Sequence, residues 1–265
     1  FGAIAGVNNG TVYNCVVNGW TNNAVRGITV PTPTDRTASC YIAGLVGTNN
    51  ESGAISNSRV EYVNLTGFGR LAGLVSSNSG VIASSYYTGG TITNVATSTA
   101  NNVATAGLVV ENAYGATIFG SFTGGAYTEY NAESGQNTQV SSLANTRDAL
   151  ILSGVRTAGF VYANYGSISD SYSAMRIWAI EASGFVYSNS ENGEIERCYS
   201  VSVLSDTGES GVTSLSMPFI GVESTSSTEN NNANPDGIVN CYFLNTGFST
   251  NALRLEDAPE LTLEQ

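Results

Sequence analysis

A short pattern of residues recurs along nearly the whole chain and constrains the fold more than any other feature. It is clearest at residues 43–58, AGLVGTNNESGAISNS. A small residue, a glycine and an apolar residue form an anchor, which is followed by Asn, a second Gly, a β-branched residue and a further small residue. The sequence holds seven copies, and such repetition predicts an array of similar structural units stacked on one another.

Each position of the pattern can be assigned along the chain. The anchors are Ala5-Gly6-Val7, Ala43-Gly44-Leu45, Ala72-Gly73-Leu74, Ala106-Gly107-Leu108, Ala158-Gly159-Phe160, Ser183-Gly184-Phe185 and Ile220-Gly221-Val222. The Asn position holds Asn9, Asn49, Asn78, Asn112, Asn164 and Asn189. The second glycines are Gly10, Gly53, Gly80, Gly115, Gly166, Gly193 and Gly237. The β-branched residues are Val12, Ile55, Ile82, Ile118, Ile168, Ile195 and Ile238. The final small residues are Cys15, Ser58, Ser85, Ser121, Ser171, Cys198 and Cys241.

The spacing between anchors favours a β-solenoid. It varies from 25 residues, between Gly159 and Gly184, to 52 residues, between Gly107 and Gly159. A β-solenoid tolerates this variation because extra residues bulge from a corner while the path of the coil is kept. We therefore expect an all-β, right-handed parallel β-solenoid (β-helix) of about seven irregular coils with loop insertions.

The residue types indicate what each position does within a coil. Asn and Gly tolerate a positive φ and favour a turn, whereas the β-branched residue favours a strand and is expected to point inwards. Equivalent residues on successive coils lie about 4.8 Å apart, so Asn side chains can hydrogen-bond along the stack. The predicted structural ladders contain Asn49, Asn78, Asn112, Asn164 and Asn189, and Ile55, Ile82, Ile118, Ile168 and Ile195.

The repeat predicts one solenoid domain at residues 1–250, followed at residues 251–265 by a linker or the start of a further segment. The main insertion is expected at residues 123–155, and within it residues 141–152, SSLANTRDALIL, have the pattern of a short amphipathic helix. The chain begins inside a copy of the repeat, without Met or a positively charged leader, so we expect a piece of a longer protein.

Composition excludes several partners. The formal net charge is −12, the pI is about 4.2 and histidine is absent. No basic stripe can neutralise phosphates, so neither nucleic acid nor an anionic membrane surface is an expected partner. No apolar run approaches the roughly 20 residues that span a bilayer. Charged residues make up only 11% of the chain, so Ser, Thr and Asn are expected to replace them on the surface. An acidic surface without lysine fits an extracellular or cell-surface location.

The pattern GLV-x-x-N-x-G-x-I-x-x-S/C-Y resembles the GLUG motif, a repeat of secreted and surface-anchored bacterial proteins. The most similar copies are residues 72–86, AGLVSSNSGVIASSY, and residues 158–172, AGFVYANYGSISDSY. The resemblance covers about residues 1–250 and implies an adhesin-like protein, or the non-catalytic region of a surface immunoglobulin A metallopeptidase. Its motif carries no catalytic residue, and Phe160 and Phe185 depart from it by replacing Leu.

The four cysteines allow stacked thiols or disulfides. Cys198 and Cys241 occupy the same position on successive coils, where the distance between Cα atoms permits a disulfide. Cys15 with Cys40 is the other local pairing, and the sequence does not choose among the connectivities. A zinc site is not expected, because C-x-x-C and histidine are both missing.

The candidates for catalysis are carboxylates. Without histidine, the usual nucleophilic triads and metallopeptidase sites are excluded. Acidic residues cluster at Glu191, Glu194 and Glu196, and again at Asp206 and Glu209. Glu194 and Glu196 are expected on one face of a strand, where they can form a glycosidase-like pair, a weak calcium site or only a solvated surface. We expect no cofactor.

Aromatic residues follow the small residue in most copies, at Tyr86, Phe122, Tyr172, Tyr199 and Tyr242. They predict either an internal or semi-exposed ladder, or a strip that contacts sugar or protein. Arg59 replaces the aromatic residue in the second coil, which indicates that this line partly faces solvent. Three N-glycosylation sequons begin at Asn9, Asn50 and Asn64.

These features together favour a structural or adhesive extracellular repeat domain of a larger surface or filament-forming protein, without catalysis of its own. The expected partner is a protein, a surface glycan or a second copy that associates end to end through unpaired strand edges. The alternatives are a carbohydrate-active β-helix enzyme, an accessory domain of a surface peptidase, and a virion spike or fibre.

Overall fold

The computed structural model describes residues 1–21, 24–32, 40–96, 103–124, 128–131, 136–139, 150–206, 215–221, 237–244 and 260–261. Within these residues the secondary structure is almost entirely β-strand, and no α-helix is present. Strands of successive coils pair in parallel and in register, so that each coil lies directly on the previous one. The prediction of an all-β parallel β-solenoid is confirmed.

Each coil passes through four sheets, which we name faces 1 to 4 in the order in which the chain visits them. Face 1 contains β1 (Ala5–Asn8), β7 (Val46–Asn49), β12 (Val75–Asn78), β17 (Val109–Asn112), β23 (Val161–Asn164) and β27 (Val186–Asn189). Face 2 contains β2 (Thr11–Tyr13), β8 (Ala54–Ser56), β13 (Val81–Ala83), β18 (Thr117–Phe119), β24 (Ser167–Ser169), β28 (Glu194–Glu196) and β32 (Ile238–Val239). Face 3 contains β3 (Val16–Asn18), β9 (Arg59–Glu61), β14 (Tyr86–Thr88), β19 (Phe122–Gly124), β25 (Tyr172–Ala174), β29 (Tyr199–Ser200), β33 (Tyr242–Leu244) and β34 (Glu260–Leu261).

Face 4 is longer than the others and has two halves. The first half contains β4 (Trp20–Thr21), β5 (Ala24–Thr29), β10 (Val63–Gly67), β15 (Thr91–Asn94) and β30 (Val203–Asp206). The second half contains β6 (Tyr41–Ala43), β11 (Arg70–Ala72), β16 (Ala104–Ala106) and β31 (Leu215–Met217). Two long strands, β22 (Leu150–Ala158) and β26 (Arg176–Ser183), span both halves. In the other coils the two halves are separate strands.

The core fills the inside of the coils with ladders of apolar side chains. The β-branched position of face 2 is buried from Val12 to Ile238, which confirms the predicted Ile ladder. The apolar residue of the anchor is also buried from the second coil onwards, as Leu in the second to fourth coils and as Phe160, Phe185 and Phe219 in the later ones. The Phe rings stack at centroid distances of 4.7 and 5.0 Å.

The anchor glycine lies at the corner between faces 4 and 1, and its identity follows from the spacing of the coils. A Cβ atom built on Gly107 would lie 1.9 Å from the carbonyl oxygen of Gly159 in the next coil. The same clash would arise at Gly73 against Gly107 O (2.1 Å) and at Gly184 against Pro218 O (2.0 Å). A side chain at Gly73, Gly107 or Gly184 would therefore overlap the backbone of the next coil, so glycine is required at these inner positions.

The first and last copies of the repeat are aligned differently from the prediction. Gly2 pairs with Ala43, and Ala5 with Val46, so the first anchor is residues 2–4 and not Ala5-Gly6-Val7. In the last copy Ser183 pairs with Met217, so the anchor is residues 217–219 and not Ile220-Gly221-Val222, whose Val222 lies outside the described residues. The expected glycine is therefore missing from both end copies.

Two other alignments are wrong by one residue. Asn8, not Asn9, pairs with Asn49 in the ladder. In the fourth coil Ala116, not Gly115, takes the place of the second glycine, because Ala116 O accepts the hydrogen bond from Ser167 N that Gly80 O accepts from Thr117 N in the coil before. Gly115 is an extra turn residue with a φ of 77°.

The main insertion is narrower than predicted. Face 3 continues through Gly124 and face 4 resumes at Leu150, so both ends of the range 123–155 belong to the solenoid. The predicted helix at residues 141–152 is wrong at its end, because residues 150–152 lie in β22, and residues 141–149 lie outside the described residues. An antiparallel hairpin of β20 (Thr128–Asn131) and β21 (Gln136–Gln139) occupies part of the insertion. Of the predicted C-terminal segment only β34 is described, and it pairs in parallel with β33.

Candidate functional site

The corner between faces 1 and 2 is built on an unbroken ladder of buried asparagines. Each Asn Nδ2 donates to the Oδ1 of the next Asn, at 2.7 to 2.8 Å from Asn8 to Asn189. The same amides also bond backbone carbonyls of the turns, as Asn49 Nδ2 does to Gly53 O at 3.2 Å. The predicted Asn ladder is confirmed, and it fixes the position of every turn at this corner. The turns run through residues 8–10, 49–53, 78–80, 112–116, 164–166 and 189–193.

These turns alternate in length from coil to coil. The short turns place one residue between Asn and the small residue, at residues 8–10, 78–80 and 164–166. The long turns place three residues there, at residues 49–53, 112–116 and 189–193. Each long turn is closed by a backbone hydrogen bond, such as Gly193 N to Ser190 O at 2.9 Å. A long turn stands out from the rod as a ridge, and the next short turn forms a valley.

The valley over the short turn of the fifth coil is a groove of about 400 Å³. One wall is the long turn of the fourth coil, the floor is the short turn at residues 164–166, and the other wall is the long turn of the sixth coil. The lining residues are Tyr114, Gly115, Ala116, Tyr165, Gly166, Ser167, Glu191, Asn192 and Glu194. We call it the Tyr–Glu groove. Its volume falls in the range of small-ligand sites.

Two tyrosines of the Tyr–Glu groove are unusually exposed. The Tyr114 side chain, at the tip of the fourth-coil ridge, is 79% exposed, and Tyr165 on the floor is 45% exposed. Neither ring stacks on another ring among the described residues. Their faces are therefore open to a ligand.

The groove is electronegative. Glu191 and Glu194 contribute two carboxylates, and no arginine belongs to the lining. Neither carboxylate forms an ion pair within the described part of the chain. The arrangement can accept hydrogen bonds from hydroxyl or ammonium groups, and it repels anions.

The predicted aromatic series forms a stacked strip on the outside of face 3. Ring centroids are 4.4 Å apart for Tyr86 and Phe122, and 4.9 Å for Phe122–Tyr172 and Tyr172–Tyr199. Tyr242 continues the same row of paired residues. The rings cover one another's faces and expose mainly edges, which agrees with the semi-exposed ladder and leaves no open aromatic face between neighbours. Burial and the neighbouring Tyr199 raise the pKa of Tyr172 to about 12.

Arg59 continues this strip at its start. It pairs with Tyr86 in the strand register and forms an ion pair with Glu61 at 2.9 Å. Glu61 also accepts a hydrogen bond from the Tyr86 hydroxyl at 3.0 Å. Burial and the adjacent Glu61 carboxylate raise the pKa of Tyr86 well above its ordinary value. At the start of the strip the polar groups of Arg59, Glu61 and Tyr86 thus bond to one another.

The predicted carboxylate pair is divided between two environments. Glu194 and Glu196 both face outwards from β28, on either side of the buried Ile195. Glu194 lines the groove, whereas Glu196 forms an ion pair with Arg197. Arg197 also donates two hydrogen bonds to Asp170, at 2.6 and 2.8 Å, and these hold the pKa of that carboxyl below its usual range. Asp206 lies at the end of β30.

Glu209, the other member of the second predicted acidic cluster, lies outside the described residues. Among the described residues no group of three or more His, Cys, Asp or Glu side chains is placed to hold a metal ion.

All four cysteines are free thiols in the structure. Cys198 and Cys241 are fully buried on successive coils and donate to the carbonyls of Glu196 and Val239, both at 3.3 Å. Burial raises the pKa of the Cys198 thiol. Cys15 precedes face 3 and Cys40 precedes face 4, and both are partly buried. The disulfide pairings stay a prediction.

The three sequons differ in accessibility. Asn9 is exposed at the tip of a short turn, and its Oδ1 accepts a hydrogen bond of 2.6 Å from Asn50 Nδ2. Asn64 is half-buried, and its Oδ1 accepts a bond of 2.8 Å from Thr91 N in the next coil. Asn50 is half-buried as well, so Asn9 is the most exposed acceptor of the three.

The sequence did not reveal the Tyr–Glu groove, because neither Tyr114 nor Tyr165 belongs to the repeated pattern of residue types. The signal that was available is the alternating number of residues between Asn and the following small residue. A second missed feature is the corner between faces 2 and 3, where the residue before each small residue has a positive φ. These residues are Asn14, Asn57, Ser84, Gly120, Asp170, Arg197 and Asn240.

No helix of the described residues is long and apolar enough to cross a membrane. Comparison of the chain with protein-family models, with curated proteins and with solved structures gives no significant match.

Proposed function

We propose that this chain is a structural and adhesive repeat domain of an extracellular surface protein, and that it presents a rigid surface to a protein or glycan partner without catalysis of its own. The observation that carries the proposal is the continuity of the ladders. From Asn8 to Asn189 every coil is bonded to the next through buried amides. Such a rod keeps its surface groups at fixed spacings, which suits repeated weak contacts with an extended partner.

Surface chemistry supports an extracellular, adhesive role. The resemblance to the GLUG motif points to secreted and surface-anchored proteins. The low content of charged residues, at 11%, fits a surface rich in hydroxyl and amide groups. The open aromatic faces of Tyr114 and Tyr165 are suited to contact with sugar or protein.

The rival function, a carbohydrate-active enzyme, is less well supported. Glycoside hydrolysis requires two carboxyl groups that flank the scissile bond about 5 to 10 Å apart. Glu196 is engaged by Arg197, so it lacks the freedom of a second catalytic carboxylate beside Glu194. An adhesive surface needs no such pair.

The proposal can be tested with beads coated with the purified chain. We expect the beads to adhere to surfaces bearing polysaccharide or extracellular-matrix protein, and we expect the chain to release no reducing ends from soluble polysaccharides. Release of reducing ends that is lost in Glu194→Gln would replace the adhesive function with the enzymatic one. Beads that adhere to none of the coated surfaces would contradict the adhesive function.

A further inference from the structure

We propose that the Tyr–Glu groove binds an uncharged or amino-substituted sugar unit of a glycan, held between the ridges of the fourth and sixth coils. The inference rests on the proposed adhesive function and gives it a ligand class and a location. Four residues carry it: Tyr114, Tyr165, Glu191 and Glu194.

The tyrosines supply the apolar contact. The C–H face of a pyranose stacks on an aromatic ring, and the Tyr114 ring, 79% exposed and unstacked, offers such a face. Tyr165 lies one coil further along, about 4.8 Å in rise. The aromatic strip on face 3 serves as an internal comparison, because there each ring is covered by its neighbours.

The dimensions of the groove suit a sugar ring. The two ridges belong to coils separated by one other coil, so their backbones are about 10 Å apart. A ring between them contacts Tyr114 on one wall and Glu191 on the other, with Tyr165 beneath. The groove volume of about 400 Å³ leaves room for one or two such units.

The carboxylates set the charge of the ligand. Carboxylate oxygens accept hydrogen bonds from neighbouring hydroxyls or from an ammonium group. No cation lines the groove, so a uronic or sialic acid would meet repulsion. The ligand is therefore a neutral or amino sugar.

A peptide ligand fits less well. Peptides that bind β-proteins commonly add a strand to an open sheet edge. The strands beside the groove, β23 on face 1 and β24 on face 2, are both paired on each side by neighbouring coils. No backbone edge is available there, and a cationic peptide would have only the side-chain carboxylates to bind.

The test measures binding of the full chain to four probes by calorimetry: the N-acetylglucosamine dimer, the glucosamine dimer, a disaccharide containing glucuronate, and tetralysine. We expect the first two to bind and the other two to bind at least tenfold more weakly. Tyr114→Ala and Tyr165→Ala should each weaken sugar binding about 5- to 10-fold. Glu191→Gln should weaken the amino sugar more than the neutral one.

Two control variants match these changes. Tyr13 is 66% exposed on face 2 of the first coil, so Tyr13→Ala removes an equally open tyrosine far from the groove. Glu51 occupies in the second-coil long turn the position that Glu191 occupies in the sixth, so Glu51→Gln makes the same change outside the groove. Both controls should bind like the unaltered chain.

The inference is overturned if neither sugar dimer binds, if Tyr114→Ala and Tyr165→Ala bind as tightly as the controls, or if tetralysine or the glucuronate probe binds best. Bead adhesion separates this failure from that of the proposed function. Adhesion that persists in the Tyr114→Ala/Tyr165→Ala double variant leaves the adhesive function standing and removes the groove as its site. Sugar binding by a chain whose beads adhere to none of the coated surfaces would keep the groove as a sugar site and remove the adhesive function.

Discussion

Asn112 donates a hydrogen bond of 2.8 Å from Nδ2 to Asn164 Oδ1, although 52 residues separate the two in the chain. Asn164 makes the same bond to Asn189, at 2.7 Å and across only 25 residues. The longest insertion thus leaves the ladder unchanged, because the extra residues depart from a different corner, between faces 3 and 4. The contacts between successive coils, and not the number of residues in each coil, therefore define the repeat.

Replacement of Asn112 by Ala should lower the free energy of unfolding by about 2–4 kcal/mol, because buried donors and acceptors on both neighbouring coils lose their partner. Asn112 is fully buried and bonds Asn78 and Asn164. Asn50→Ala is the control, since its bond to Asn9 is exposed and its loss should change stability by less than about 0.5 kcal/mol. Urea denaturation followed by circular dichroism measures both; equal effects would contradict a ladder that stabilises the fold.

Gly107→Ala should destabilise the chain by at least about 2 kcal/mol, because the new Cβ would overlap a backbone carbonyl that cannot move alone. The overlapping atom is Gly159 O, 1.9 Å from the Cβ position. Gly10→Ala introduces the same methyl group where no atom lies within 4 Å, and its thermal unfolding should change little. A Gly107→Ala variant as stable as Gly10→Ala would show that the coil spacing relaxes freely at this corner.

Ser84→Gly should stabilise the chain by about 0.5–1 kcal/mol, because Ser84 has a left-handed backbone conformation that glycine adopts without strain. Its φ is 47° and its side chain is exposed, so little contact is lost. Ser56→Gly makes the same change inside strand β8, where glycine should instead reduce stability by a similar amount. We expect the two substitutions to shift the melting temperature in opposite directions. Shifts in the same direction would contradict the conformational argument.

The thiols should react in two classes. Cys15 and Cys40 are partly buried, whereas Cys198 and Cys241 are fully buried. An aromatic disulfide reagent at pH 8 should titrate two thiols in the folded chain and all four in 6 M guanidinium. Fewer than four thiols in denaturant, before any reductant is added, would show that a disulfide forms. Cys198→Ser and Cys241→Ser would then identify its partners.

Tyr172 should make the fold sensitive to alkali. Its pKa in the folded chain is about 12, compared with about 10 in an unfolded chain. Because the folded pKa is the higher one, the contribution to stability is fully present below pH 10 and is lost as the pH rises towards 12. Tyr172→Phe should lose less stability across this window than the unaltered chain. Selective ¹³C labelling of the tyrosine Cζ atoms follows the titration, and a Tyr172 signal that shifts near pH 10 would contradict the argument.

The sequence predicted the solenoid well in its middle and poorly at its ends. Positions with a single physical role, such as Ile82 in the core and Asn78 in the ladder, repeat strictly, so the sequence alone identifies them. The end copies replace the anchor glycine, and Ala5-Gly6-Val7 imitates an anchor three residues from the real one. In the last copy Pro218 takes the glycine position, so the most conspicuous marker is absent.

The candidate site was harder to predict because it depends on the differences between copies. Tyr114 and Tyr165 share neither a turn length nor a turn position, and only the stacking of their coils brings them into one groove. Gly115 matches the second glycine of the pattern, although Ala116 takes that place in the structure. The fourth-coil turn therefore reads as one residue shorter than it is. The predicted pair of Glu194 and Glu196 lies on one face as expected. Arg197, whose left-handed backbone the residue type does not predict, forms an ion pair with Glu196.

The unequal amounts of chain between rungs of the Asn ladder have a mechanical consequence. If force peels the coils from one end, each rung that yields releases the chain up to the next, at about 3.5 Å per residue. The step between Asn164 and Asn189, 25 residues, then lengthens the tether by about 90 Å, and the step between Asn112 and Asn164, 52 residues, by about 180 Å. Similar hydrogen bonds break at each step, but the length of chain released differs twofold. The domain would therefore extend under force in a series of unequal steps, and the loop lengths set the size of each step.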